Sequence, residues 1–124
     1  MKALFATVAV IAVGGIVAVG LGAAGVGRAA DPAAQRVDNF ELTDHTRLAH
    51  QLYYFGYAPA IVLMSRENGS AVSHASTEAL QALAGGYKDK GVLFYLLDSN
   101  LADTRDAVAA EAAKQNISLP ILMD

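Results

Sequence analysis

Two unbroken apolar runs, Ala60-Ile61-Val62-Leu63-Met64 and Val92-Leu93-Phe94-Tyr95-Leu96-Leu97, restrict the folds open to this chain more than any other feature. An apolar residue at every position marks a strand covered on both faces, as in a parallel sheet. Between the runs the spacing changes. From Ala71 onward, Val72, Ala75, Ala79, Leu80, Leu83, Ala84 and Tyr87 recur at helical intervals. Ser70 or Ser73 can cap this helix, because a hydroxyl oxygen accepts from an otherwise unpaired backbone N–H. Gly85-Gly86 weakens its far end. A second helix is expected over about 103–115, with Asn116 suited to its C-terminal end, and then a short strand over Pro120-Ile121-Leu122-Met123. Alternating strands and helices predict right-handed crossovers and a mostly parallel sheet in a three-layer α/β/α arrangement. Upstream, Phe40 and Leu42 alternate with polar residues as a short strand. Leu48 to Tyr57 is open between a helical turn and a strand, and its Tyr53, Tyr54, Phe55 and Tyr57 are expected to pack beneath the sheet.

The N-terminus obeys a different constraint. Lys2 is followed by Ala3 to Gly27, 25 residues without a charge, and Arg28 closes the run. A bilayer core needs roughly 20 apolar residues as helix, so the run can span one. It exceeds the ~7–15 apolar residues usual in a cleavable signal, although small residues permit cleavage after Ala29. An uncleaved hydrophobic helix acting as membrane anchor and a removed signal peptide are both open. Either use places the remainder outside the cytoplasm, periplasmic or anchored through residues 3–27. The chain is therefore read as a leader over 1–30, a polar linker over 31–36 and one folded domain over 37–124.

Composition excludes several activities. There is no cysteine among the 124 residues, so no disulfide, thiolate metal site or cysteine nucleophile can form. The net charge of −3 offers no electrostatic footprint for nucleic acid. Neither a glycine-rich phosphate loop nor a zinc spacing is present, and no cofactor is expected. Ser70 and His74 share a helix face but have no orienting acid, which makes a capping serine the better account. His45 and His50, with Asp44 and Glu41 nearby, are the candidate metal ligands and weak ones. Asp98, Asp103, Asp106 and Asp124 read as caps and turn residues.

The stretch Val37-Asp38-Asn39-Phe40-Glu41-Leu42-Thr43-Asp44, the strand to Met64, Asn68-Gly69, Gly91-Val92-Leu93-Phe94 and Pro120-Ile121-Leu122-Met123-Asp124 together resemble the redoxin branch of the thioredoxin fold. That branch includes the peroxiredoxins, the alkyl hydroperoxide reductase and thiol-specific antioxidant proteins. The resemblance implies a reactive cysteine, usually followed by proline, at the start of the first long helix. Here Ser70 holds the cysteine position and Ala71 the proline position. Glu67 stands where a peroxiredoxin has threonine. A helix N-terminus lowers a thiol pKa, whereas a serine hydroxyl has no accessible pKa there and no sulfenic-acid cycle. The resemblance also implies a cis-proline loop, a hairpin and a closing helix after the last strand, so the domain is expected to be truncated. Ala60 to Met64 would then keep one bare edge, open to strand addition by a protein partner. The function expected is a binding or assembly module without thiol peroxidase activity. A truncated relative of a thiol-dependent peroxidase or thiol–disulfide oxidoreductase, and a histidine-based metal-binding periplasmic protein, are the alternatives.

Overall fold

In the computed structural model, residues 8–11 and 37–124 are described. The chain order is β1 (Val8–Ile11), β2 (Glu41–Asp44), β3 (Ala49–Gln51), a 3-10 turn (Leu52–Phe55), β4 (Ile61–Arg66), α1 (Ala71–Tyr87), β5 (Leu93–Asp98), α2 (Arg105–Lys114) and β6 (Ile121–Met123). The strands form one sheet in the order β1-β4-β5-β6-β2-β3. β4, β5 and β6 run parallel, while β1 on β4, β2 on β6 and β3 on β2 are antiparallel. The sheet is therefore mixed, not mostly parallel. The three central strands follow the expected crossovers.

Both helices lie on one face. Leu80 of α1 with Val108 and Ala112 of α2 pack on Val62, Met64, Phe94, Leu96 and Ile121. Two right-handed crossovers that step the same way across a sheet must put their helices on the same side. The expected three layers are thus two among the described residues. On the other face, Ile61, Tyr95 and Leu122 gather with Leu52 and Ala58. Of the aromatic cluster, Phe55 alone joins this core; Tyr53, Tyr54 and Tyr57 are 45%, 75% and 74% exposed. The 3-10 turn explains the difference at 53–55, since its short pitch cannot turn three successive rings toward one surface, and Tyr57 lies beyond it after Gly56.

Local chemistry sets the helix ends. Ser70 Oγ accepts from the N–H of Ser73 at 3.4 Å, and Thr104 Oγ1 accepts from that of Ala107 at 3.3 Å. Gly69, with φ +74°, makes the turn into α1 that a side chain would strain. Asn116 closes the end of α2 at φ +53°.

At the N-terminus, Val8–Ile11 is extended and pairs with β4, and the remainder of the stretch expected as a hydrophobic helix lies outside the described residues. Consequently the far edge of Ile61–Met64 is not bare, because Val8 to Ile11 lie opposite Met64 to Ile61. Among the described residues, no helix is long and apolar enough to cross a membrane.

Leu96 is fully buried at the centre of the sheet, whereas Leu101 is 97% exposed. Leu96→Ala is expected to cost about 3 kcal/mol and Leu101→Ala under about 0.5 kcal/mol, measured by urea unfolding.

Candidate functional site at the strand ends

In a parallel sheet the carboxyl ends of the strands and the helix N-termini converge, so polar groups there can act together. β4 continues two residues beyond its apolar run and ends on Arg66, which lies in register with Asp98, the last residue of β5. Both are buried, at 6% and 1% exposure, and Met123 of β6 completes the row. Even-numbered side chains of β4 and β5 face the helices, as Val62, Met64, Phe94 and Leu96 do. Arg66 and Asp98 continue that alternation beneath the first turns of α1 and α2.

The two helix-start loops are stitched to this row. Arg66 Nη2 donates to Asn68 Oδ1 at 3.4 Å, and the Asn68 N–H donates to Asp103 Oδ2 at 3.3 Å. Asp98 Oδ1 accepts from the Asn100 N–H at 3.2 Å. Among the described residues, Arg66 Nε and Nη1, Asp98 Oδ2 and the buried Thr77 Oγ1 have no hydrogen-bond partner. Buried polar atoms rarely stay unsatisfied, so this row is a place for water or a small polar group. Burial pushes the Asp98 carboxyl above its ordinary range and the Asp103 charge adds to this, against the opposing pull of the Asn100 N–H and Arg66. Ser70 stands at the mouth, half-buried, with its oxygen occupied in capping. The Glu67 N–H donates to Ser73 Oγ at 2.9 Å, and Glu67 is exposed. His74 pairs with Glu78 at 3.3 Å, and no Ser70–His74 side-chain hydrogen bond forms among the described residues. Ala71 is exposed.

The second polar cluster ties β2 to its neighbours. Asp44 is 2% exposed. Its Oδ1 accepts from the Thr46 N–H at 2.8 Å, the Thr46 hydroxyl at 2.7 Å and the Leu48 N–H at 3.0 Å, while Oδ2 meets His50 Nε2 at 2.8 Å. This carboxylate shapes the tight β2–β3 turn, in which Arg47 takes φ +75°. Burial raises the Asp44 pKa, but the bonds from His50, Thr46 and Leu48 outweigh it and hold the pKa down to about 2. His50 lies edge-on to Tyr95, with ring centroids 5.2 Å apart. Burial, with Tyr57 and Asp44 adding to it, pushes the Tyr95 phenol up to about 12. His45 turns elsewhere. Its Nδ1 accepts from the Ile121 N–H at 3.2 Å, and burial keeps it below the ordinary histidine range despite the Asp44 charge. Arg105, at the start of α2, donates to the Asp44 carbonyl.

The two histidines proposed as metal ligands thus serve different partners. Among the described residues, no group of three or more histidine or carboxylate side chains is arranged to hold a metal ion. Asp98 and Asp103 were expected only as cap or turn residues, and Arg66 was not singled out. The signal for Arg66 was its even number, in phase with Val62 and Met64 on β4.

No family model matches the sequence, and no curated protein matches it. Solved structures do. A hypothetical protein from Sinorhizobium meliloti is 28% identical, with a TM-score of 0.64 over 72% of this chain and 51% of that one. The thioredoxin domain of a Bacteroides vulgatus thiol-disulfide oxidoreductase is 13% identical, with a TM-score of 0.58 over 69% of this chain and 59% of that one. A secreted Mycobacterium tuberculosis disulfide oxidoreductase homologous to Escherichia coli DsbE is 18% identical, with a TM-score of 0.58 over 68% and 60%. The chain therefore has a thioredoxin-like fold and spans about half to three fifths of the length of these structures.

The Asp44 geometry makes a pH prediction. A depressed carboxylate stabilises the fold fully above its unfolded pKa of about 4 and loses that contribution as pH falls through its folded value. With the folded value at about 2, the contribution is about 2 kcal/mol. Stability should fall between about pH 4 and pH 2, and Asp44→Asn should flatten that decline while lowering stability at neutral pH. Urea midpoints across the acid range measure both.

Proposed function

We propose that this chain is an exported or membrane-tethered thioredoxin-fold module that binds or assembles and carries no thiol chemistry. The observation behind this is Ser70. It is an oxygen at the N-terminus of α1 in a chain without cysteine, and its lone pair already caps the helix. A neutral hydroxyl in that position cannot shuttle electrons, since attack on a peroxide or disulfide needs a thiolate and a reversible sulfur oxidation. The matching oxidoreductase structures support descent from a thiol–disulfide oxidoreductase or related redoxin scaffold, with the peroxiredoxin branch as the finer reading of the sequence motifs. Export is supported by the charge-free run over Ala3–Gly27 and by the secreted state of the Mycobacterium tuberculosis protein.

Binding in place of catalysis would draw on the strand-end surface. There Arg66 and Asp98 hold unpaired polar atoms beneath two loops, and exposed Val72 and Leu101 lie on the flanking segments. Polar groups with unmet hydrogen bonds, rimmed by apolar side chains, suit recognition of a peptide or small polar molecule.

A second reading rests on length. The chain spans about half of the Sinorhizobium meliloti structure, which supports a truncated relative of a thiol-dependent peroxidase or thiol–disulfide oxidoreductase as the alternative.

The purified full chain is expected to consume no hydroperoxide and to reduce no insulin disulfide above the protein-free rate with dithiothreitol as donor. Turnover would overturn the proposal. Ser70→Cys is expected to introduce a thiol that alkylates with iodoacetamide, with an apparent pKa set between the helix N-terminus, which lowers it, and Glu67, which raises it. Ser70→Ala should cost about 1 kcal/mol through the lost cap, read from thermal unfolding.

A further inference from the structure

The outer edge of β4 is held by a segment that hydropathy assigns to a membrane. In a strand, successive residues direct their backbone groups to opposite sides. The Ala60 carbonyl accepts from Leu93 N at 3.1 Å, so the even-numbered Val62 and Met64 bond toward β5, and Ile61 and Leu63 present their N–H and C=O outward. Antiparallel pairing sets Ile61 opposite Ile11 and Leu63 opposite Ala9, which makes these the bonded pairs of the β1 ladder. Ile61 and Met64 are among the most buried side chains, at 2% and 3% exposure. The edge therefore combines backbone groups that β1 alone satisfies with an apolar core directly behind it.

Only two bonded residue pairs, Ile61–Ile11 and Leu63–Ala9, hold Val8–Ile11 to β4, and so short an edge pairing opens locally more readily than the interior of the sheet. We propose that the outer edge of β4 is a strand-acceptor site for an extended, uncharged, valine- and isoleucine-rich segment running antiparallel. Val8–Ile11 fills it in cis, and a segment of the same chemistry from a partner polypeptide fills it when Val8–Ile11 is withdrawn. Withdrawal into a bilayer rests on the membrane-tethered reading above; the docking itself does not.

The test uses the full chain and amide hydrogen exchange read by NMR. Ala9→Pro removes the N–H that donates to the Leu63 carbonyl. The Ile61 and Leu63 amides are expected to exchange at least about tenfold faster than in the unaltered chain. The Val62 and Met64 amides, bonded to β5, should be unchanged and so report an intact fold. A synthetic peptide of residues 6–13 at millimolar concentration should restore protection at Ile61 and Leu63 in the Ala9→Pro chain. The same peptide carrying proline at positions 9 and 11 should not. Equal exchange at Ile61 and Leu63 with and without Ala9→Pro would overturn the docking in cis. No restoration by the 6–13 peptide would overturn the acceptor site. Loss of protection at Val62 and Met64, in both Ala9→Pro and Ile11→Pro, would make β1 an inseparable part of the fold and overturn an exchangeable occupant. None of these results depends on whether Ser70 supports redox turnover.

Discussion

The structure depends on the parallel ladder of β4, β5 and β6. Its central strand, β5, is hydrogen-bonded on both sides, with Leu63 opposite Tyr95 and Leu97 opposite Leu122. Parallel pairing forces each connection to cross the sheet as a helix, and the two crossovers place α1 and α2 on one face. It also brings the ends of β4 and β5 to the first turns of those helices. Arg66, Asn68, Asp98 and Asp103 interact there. The antiparallel strands are additions to this ladder: β2 and β3 on the β6 side, β1 on the β4 side.

What the ladder positions is a helix N-terminus, and chemistry there turns on one atom. A sulfur atom at that place would be stabilised as thiolate by the unpaired N–H groups of the first turn. An oxygen uses the same N–H groups as an ordinary cap and stops. Other polar groups at the strand ends lie deeper, in the Arg66–Asp98 row, where burial shifts the Asp98 carboxyl upward and, among the described residues, Arg66 Nε and Nη1 have no hydrogen-bond partner.

The core ladder and α1 were legible in the sequence because local pattern determines them. Continuous apolar runs and a change to helical spacing carry the same meaning in isolation as in the fold, and Ser70 was readable as a cap. Most of the misses were long-range. Hydropathy reads Val8–Ile11 by transfer to an apolar solvent, and a lipid bilayer and a sheet edge satisfy that measure equally; nothing local announces a partner some fifty residues away. Asp44 is a charged residue that folds inward because four hydrogen bonds compensate its burial. The arrival of His50 from β3 completes that set. The aromatic cluster was placed inside by its apolar surface, but all three of its tyrosines are exposed, two of them on the 3-10 turn. The number of layers failed for a topological reason, since consecutive strand order decides the side of each helix.

The most direct measurement of the central claim counts electrons. Coulometric titration of the purified full chain with a chemical reductant, followed by reoxidation, reports how many reducing equivalents each molecule stores. A protein whose α1 begins at a serine oxygen, with no sulfur beyond three methionines, is predicted to take up none. Reversible uptake of an electron pair per chain would contradict the account.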